Sequence, residues 1–309
     1  MAEDERLSLA RLVSNLRRRA RIIDTIRAFF QERDYLEVET PVRVPAIAPE
    51  PNIVPFNSED WFLATSPELH MKRLLAAGYT RLFQVSRCFR RGERGRWHNP
   101  EFTMLEWYRA GAGYLDIIAE VESLVAAVAV RLGKGSRLTY QGREIDITCP
   151  WPVTTVREAF VKAAGWDPVA VPDEARFDKD LVDRVLPALA PGRPTVLSDY
   201  PAAMASLARL KPDDHAVAER AEVFIGGLEL ANAYSELTDP AEQAARFQQA
   251  ANEIRREGRP PGPLPERFLA CLPYLPDCGG VALGVDRLVM LFCDAASIDE
   301  VMAFSADTA

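Results

Sequence analysis

Residues 86–108 read S-R-C-F-R-R-G-E-R-G-R-W-H-N-P-E-F-T-M-L-E-W-Y, and their reading decides how the rest of the chain is understood. Two strand-like segments flank a short glycine-bearing turn around which Arg87, Arg90, Arg91, Arg94 and Arg96 crowd. Beyond the turn, Phe102 begins a run of aromatic and carboxylate side chains that ends at Tyr108. Guanidinium groups beside an aromatic ring suit a charged nucleotide, since arginine matches phosphate oxygens and a ring face takes a base. Taken alone, the run also fits a basic hairpin held in solvent.

The surrounding composition makes the basic run a local feature. The chain has 309 residues, 48% of them hydrophobic, and a formal net charge of -8. That is enough to bury a substantial core in one large domain or two modest ones. An acidic total argues against a broad positive surface for RNA or DNA, so phosphates bound here belong to a small ligand. Cys88, Cys149, Cys271, Cys278 and Cys293, with His70, His98 and His215, show neither zinc spacing nor a disulfide framework, which points to free thiols in a reducing cytoplasm. The N-terminal run M-A-E-D-E-R-L-S has no apolar core of a signal peptide, and no apolar stretch reaches the ~20 residues of a membrane span.

Outward from this stretch, periodicity predicts a long amphipathic helix over residues 9–31, an alternating strand over 35–40, and a proline-rich loop over 42–60 that could close over a pocket. A short strand at 61–64 follows, then a helix from Pro67 to about residue 77 with Ser66 as N-cap, and a strand over 81–90. A helix at 116–132 and a hairpin around Gln141-Gly142 precede residues 151–194, which read as an inserted subdomain of helical pieces. Strands at 195–200, 221–225 and 228–234, the last two joined at Gly226-Gly227, lead to a helix over 240–257. A glycine-bearing strand then runs through Val281 to Arg287 into an apolar helix. Strands joined by hairpins imply an antiparallel sheet, and no G-x-G-x-x-G or G-x-x-x-x-G-K-[ST] run marks a parallel nucleotide fold.

Two further groups carry chemistry. Across the Gly226-Gly227 turn Phe224 faces Glu229, so Glu222 and Glu229 project from one sheet face, where they could share a divalent cation or form a solvated acidic face. Glu236 falls on the opposite parity from Glu229 and joins them only if the strand bends. Arg287, in G-V-D-R after Gly284, stands at a helix start suited to an anion; an Asp-Arg pair tying the helix to the sheet fits that segment equally well.

These segments resemble the motif 2 to motif 3 region of the class II aminoacyl-tRNA synthetases: F-R followed by R-W-H-N-P-E-F-T-M-L-E, then E-L-A-N-A-Y-S-E-L-T-D-P-A-E-Q, then G-V-A-L-G-V-D-R-L-V-M. T-S-P-E-L-H-M-K-R-L-L narrows the resemblance to the lysyl branch, and the helix and strand ending at Pro41 resemble motif 1, the dimer-building element of that superfamily. The resemblance covers nearly the whole chain but includes no anticodon-binding domain. It is therefore closest in kind to the elongation factor P (R)-beta-lysine ligase family, with a minimal lysyl-tRNA synthetase as the alternative.

The resemblance implies an α+β fold, a class II antiparallel sheet flanked by helices, in one catalytic domain spanning 1–309 with the insertion at about 151–194. It implies ATP and Mg²⁺, elongation factor P as the acceptor of lysine or (R)-beta-lysine, a cytoplasmic homodimer, and neither tRNA nor a membrane. Arg90 would hold the α-phosphate and Arg287 the γ-phosphate. Phe102 would stack on adenine, with Arg91, Glu93, Asn99, Leu230 and Gly284 lining the nucleotide pocket, and Glu222 and Glu229 would hold the metal. Ser66, Pro67 and Glu68 would take the amine beside the substrate carboxylate. Glu236 and Tyr108 would take the distal amine, with Glu106 a further candidate and Asn232 and Ala282 beside them. Two departures stand out: glycine occupies position 92 where the family has F-R-x-E, putting Glu93 one residue late, and Ala282 replaces a customary glycine. A catalytically silent paralogue would have lost Arg90, Arg287 or the glutamates, all of which are present. An aspartate-amidating enzyme would need a pocket of the opposite sign.

Overall fold

Alternation in residues 101–110 sends Leu105 and Trp107 to one face of a ten-residue strand and Met104, Glu106 and Tyr108 to the other. That strand lies inside an eight-stranded sheet in the computed structural model, which describes residues 3–309; Met1 and Ala2 of the acidic N-terminal run lie outside the described residues. In chain order the first elements are α1 (Glu3–Arg11), α2 (Val13–Gln31), β1 (Leu36–Glu37), β2 (Arg43–Val44), β3 (Asn57–Ser58), β4 (Trp61–Leu63), α3 (Glu68–Ala76), β5 (Arg81–Phe89) and β6 (Glu101–Ala110). Next come α4 (Tyr114–Arg131), β7 (Arg137–Tyr140), β8 (Arg143–Asp146), β9 (Val153–Thr155), α5 (Val156–Ala164), α6 (Glu174–Asp180) and α7 (Leu186–Ala188). The chain ends with β10 (Thr195–Pro201), β11 (Val217–Ile225), β12 (Leu228–Ser235), α8 (Pro240–Arg256), α9 (Glu266–Leu269), β13 (Cys278–Gly284) and α10 (Val285–Cys293).

The sheet order is β1-β5-β6-β13-β12-β11-β10-β9, and the six inner strands are antiparallel, as the hairpins predict. Both edges differ from that expectation, because β1 pairs with β5 and β9 with β10 in parallel. Each edge strand is very short and enters from a helix or a crossing segment, where no hairpin dictates direction. The predicted strand over 35–40 keeps only Leu36 and Glu37 in the ladder, with Val38 N–H donating to the Phe83 carbonyl at 3.0 Å before Pro41 ends the pairing. The helix expected over 9–31 divides at Leu12 into α1 and α2. Residues 42–60, read as loop, also carry β2 and β3, which pair with β4 in a separate small sheet.

One sheet face is closed by α2, α4 and α10. Phe30, Phe83 and Trp107 form its aromatic centre, with Phe30 stacked on Phe83 at 4.8 Å and 5.0 Å from Trp107. Full burial of each such side chain is worth roughly 1.5–3 kcal/mol. The opposite face is covered only at its margins, by α3, α8 and α9 around Leu82, Phe247 and Phe268, and by α5 and α6 around Phe160, Phe177 and Tyr200. The segment read as an insertion thus supplies both an edge strand and a wall against the open half of this face. At Gly226-Gly227 both residues have positive φ (61° and 86°), the conformation a two-residue hairpin turn demands.

Candidate active site

The open face carries one large cavity of about 1070 Å³, lined by residues from β6, β11, β12, β13, the loop at 49–53 and Arg90 just after β5. Strand alternation gathers the lining here: Glu106 and Tyr108 from β6, Arg220 and Glu222 from β11, and Gly280 and Ala282 from β13. In β12 the alternation breaks. Register shifts between Val223 and Phe224, so that Phe224 pairs with Glu229 but Val223 with Ala231. Leu230 is the extra residue of a β-bulge, and Leu230 and Ala231 both join the core beneath the sheet. This supplies the bend that parity required: Glu229, Asn232 and Glu236 all line the cavity together with Glu222.

One end of the cavity is cationic. Arg90 follows β5 and lies over the Phe102 ring at 5.2 Å, so a base stacked on Phe102 takes the ring's other face or displaces the guanidinium. Arg287, in the first turn of α10, donates to the Glu229 carbonyl at 2.8 Å and to His98 Nε2 at 2.8 Å. Arginine only donates, so His98 is neutral there with its proton on Nδ1, in keeping with burial and the Arg287 charge holding the imidazole below its usual range. The neighbouring Asp286 does the tethering that an Asp-Arg pair suggested: its buried carboxylate accepts from Arg19 Nη1 at 2.5 Å and from Thr103 N–H at 2.7 Å. That tether ties α10 to α2 and β6 through Asp286, and Arg287 lines the cavity.

The other end is rich in carboxylates. Pro67, not the expected Ser66, is the N-cap of α3; Ser66 Oγ accepts from the Glu68 N–H at 2.9 Å and donates to Glu106 at 2.6 Å. Tyr108 OH donates to the second Glu106 oxygen at 2.9 Å. Burial, with the Glu68 charge next, pushes the Glu106 carboxyl up to about 8 despite these hydrogen bonds and Lys72. Glu236 is likewise raised, chiefly by burial and against the pull of Lys72. Glu50, from the proline-rich loop, is pushed up to about 7 by burial, offset first by Arg90. Gly280 is required at this end, since a Cβ there would overlap the Tyr108 ring and the Glu236 carboxylate.

Of the residues expected at the site, Ser66, Glu68, Arg90, Glu93, Asn99, Phe102, Glu106, Tyr108, Glu222, Glu229, Leu230, Asn232, Glu236, Ala282, Gly284 and Arg287 line this cavity. Pro67 and Arg91 do not. Pro67 is buried at the N-cap of α3, and Arg91 is exposed, contributing only a backbone N–H to the Val54 carbonyl at 2.7 Å. Only Arg90 of the five arginines around the turn enters the cavity. The hairpin points the others outward, Arg94 to Asp307 at 2.6 Å and Arg96 to the Ala296 carbonyl at 2.6 Å. Glu93, one residue late in sequence, still reaches the cavity and lies 3.7 Å from Arg90. Asn99 is held structurally, donating to the Glu101 carbonyl at 2.6 Å and accepting from Ala306 N–H at 2.9 Å.

The sequence reading missed His98, Arg220 and Lys72. Arg220 donates to Glu222 at 2.7 Å and to the Met204 carbonyl at 2.6 Å, and lies over the Tyr200 ring at 4.5 Å. Lys72 bridges Glu68 and Glu236 at 2.5 Å each. The signals were local: Lys72 stands four residues after Glu68 on one helix, and Arg220 two before Glu222 on one strand face.

A half-open antiparallel sheet with an arginine just after β5, a second at the start of the last helix, and carboxylates between them defines a class II synthetase catalytic core. The chain belongs to the class II tRNA synthetases (D, K and N), whose family pattern matches residues 6–308. It is similar to the elongation factor P--(R)-beta-lysine ligase of Vibrio parahaemolyticus, 40% identical over 94% of this chain and 95% of that protein. Proteins of the same name from Klebsiella pneumoniae (strain 342) and Edwardsiella ictaluri are 41% and 42% identical, each over 96% of both chains. Among the described residues no helix is long and apolar enough to cross a membrane, and no cluster of three or more metal-binding side chains occurs.

Proposed function

We propose that this protein is an ATP-dependent ligase that activates (R)-beta-lysine, or lysine, and attaches it to a lysine side chain of elongation factor P. The observation that carries the reading is the division of one cavity into an arginine end and a carboxylate end, on a chain matching similarly named ligases over 94–96% of its length. In the first step the amino acid carboxylate attacks the α-phosphorus of ATP, forming an acyl-adenylate and releasing pyrophosphate. Arg90 balances charge developing at the α-phosphate and Arg287 holds the γ-phosphate, so that positioning and preset positive charge supply the rate. Phe102 takes the adenine.

Glu68, with Ser66, binds the amine nearer the reacting carboxylate, and Glu236, with Tyr108 and Glu106, binds the distal one; buried ammonium groups require such partners. In the second step the acceptor amine attacks the acyl carbon, the bond to the phosphate oxygen breaks, AMP leaves and the amine loses a proton to solvent. The adenylate is activated already, so no nucleophilic side chain is needed.

The donor set fits Mg²⁺. Glu222 and Glu229 share a face, and beside Glu222 lies the buried Asn232 Oδ1, which has no hydrogen-bond partner. Bound there, the ion would neutralise charge on the nucleotide phosphates. Ala282, whose methyl replaces a customary glycine hydrogen, narrows the amino acid pocket and favours the beta isomer. We further propose a cytoplasmic homodimer joined through the α2–β1 segment.

Intact-mass analysis of elongation factor P after incubation with the protein, ATP, Mg²⁺ and each lysine isomer tests the proposal. One added lysyl residue is expected, most readily from (R)-beta-lysine. No added mass, together with efficient charging of tRNA, would replace this reading with that of a minimal lysyl-tRNA synthetase.

A further inference from the structure

Lys72 is the one lysine of the sequence that is buried, with 1% of its surface exposed, and the two-step reaction above gives it no role. Its ammonium lies 2.5 Å from Glu68 Oε1 on its own helix and 2.5 Å from Glu236 Oε2 beyond β12. These are the two carboxylates assigned to the substrate's amines. Burial pulls the Lys72 ammonium down, but Glu236 and Glu68 more than offset that and hold it charged. The Tyr108 and Phe268 rings lie about it, at 5.9 and 6.0 Å.

We infer that Lys72 is a positioning and specificity residue, a resident ammonium that locks Glu68 and Glu236 into one ion triad and balances their charge, ready for a substrate with two amines. The inference rests on the proposed substrate class and adds a group that the class does not name. Its physical basis is like-charge repulsion. Two carboxylates that share a single cation become, once it is removed, a buried anionic pair of which one takes up a proton. A carboxyl that has bound a proton can still hydrogen-bond an amine but cannot balance its charge. The other titratable groups facing the triad are Glu106 and Tyr108 on β6, Tyr234 on β12, Glu50 on the loop, Cys271 after α9 and Cys278 on β13. Both phenols and both thiols are shifted upward by burial, which keeps them neutral, and Glu106 holds its proton at pH 7. Lys72 is therefore the resident cation of this carboxylate pair.

The test compares full-length wild type with Lys72→Met, which keeps the packing against Tyr108 and Phe268, and with Lys72→Gln. Pyrophosphate exchange into ATP is measured against the concentration of (R)-beta-lysine from pH 7 to pH 9. At pH 7 KM should rise in both variants, about tenfold for each pH unit by which the carboxyl's titration now lies above the assay pH. The ratio of variant to wild-type KM should fall toward one by pH 9 as the carboxyls ionise, while kcat changes little. A KM ratio that is constant with pH would mark Lys72 as merely structural and overturn the inference, as would an unchanged KM.

Should both variants fail to fold, the wild type decides by nitrogen-15 NMR of its lysine ammonium groups. One protected ammonium signal that moves when (R)-beta-lysine is added supports the triad, and absence of a protected signal overturns it. Wild-type protein that exchanges pyrophosphate with no lysine isomer would instead refute the proposed reaction, and the NMR result would still report on the triad.

Discussion

Glu106→Gln tests the electrostatics of the carboxylate end quantitatively. Glu106 is 1% exposed, and burial with the nearby Glu68 charge lifts it from the ordinary carboxylate range to about 8. Between those limits the folded chain keeps a proton that the unfolded chain has released. Stability due to this group is therefore complete below the unfolded value and is lost as pH rises, by ~1.4 kcal/mol per unit, until the folded group itself ionises. From pH 5.5 to about pH 8 this amounts to roughly 3 kcal/mol. Glutamine has nearly the same shape, retains hydrogen bonding to Ser66 and Tyr108, and does not titrate. Urea unfolding of both proteins at pH 5.5, 7 and 8.5 should show the difference, wild type minus variant, falling by about 3 kcal/mol across the series. Parallel profiles would refute the assignment of a neutral, buried Glu106.

Three other substitutions probe the site's supports. Gly280→Ala should unfold at lower urea concentration by about 1–3 kcal/mol and raise KM for the amino acid more than for ATP, because the new methyl displaces Tyr108 and Glu236 at the carboxylate end only; equal effects on the two KM values would contradict this. Asp286→Ala strands Arg19 beside α10 and removes the acceptor for Thr103 N–H, so a loss of about 3–5 kcal/mol is expected in chemical denaturation. Ala282→Gly should shift kcat/KM from (R)-beta-lysine toward α-lysine by about tenfold, within the usual cost of one extra methyl in a tight pocket; unchanged discrimination would remove Ala282 from the specificity argument.

How much of this was legible in the sequence follows from the range of each interaction. Local patterns carried the inner strands, the Gly226-Gly227 turn and the α8 start, where Asp239 accepts from Ala241 N–H at 2.8 Å ahead of Pro240. Edge pairing did not follow from pattern, because a two-residue strand such as Leu36–Glu37 has no periodicity and its direction is set by the neighbour it meets. Glu236 illustrates the limit within the site. Its parity placed it on the wrong face, and only the bulge at Leu230, invisible in residue types, returns it to the cavity. The arginine run misled in the other direction, since five cations in sequence became one in the cavity once the hairpin turned the rest outward. Lys72 was overlooked because a lysine at helical spacing from a glutamate reads as a solvated surface pair, and its burial depends on Glu236, 164 residues further on.

The central claim is that nucleotide and diamino acid meet head to tail in this one cavity. A crystal structure of the protein with a non-hydrolysable (R)-beta-lysyl-adenylate analogue measures it directly. The account predicts the purine against Phe102, the phosphate at Arg90, and the two amines at Glu68 and Glu236. A ligand bound with its amines at the arginine end, or outside the cavity altogether, would contradict it.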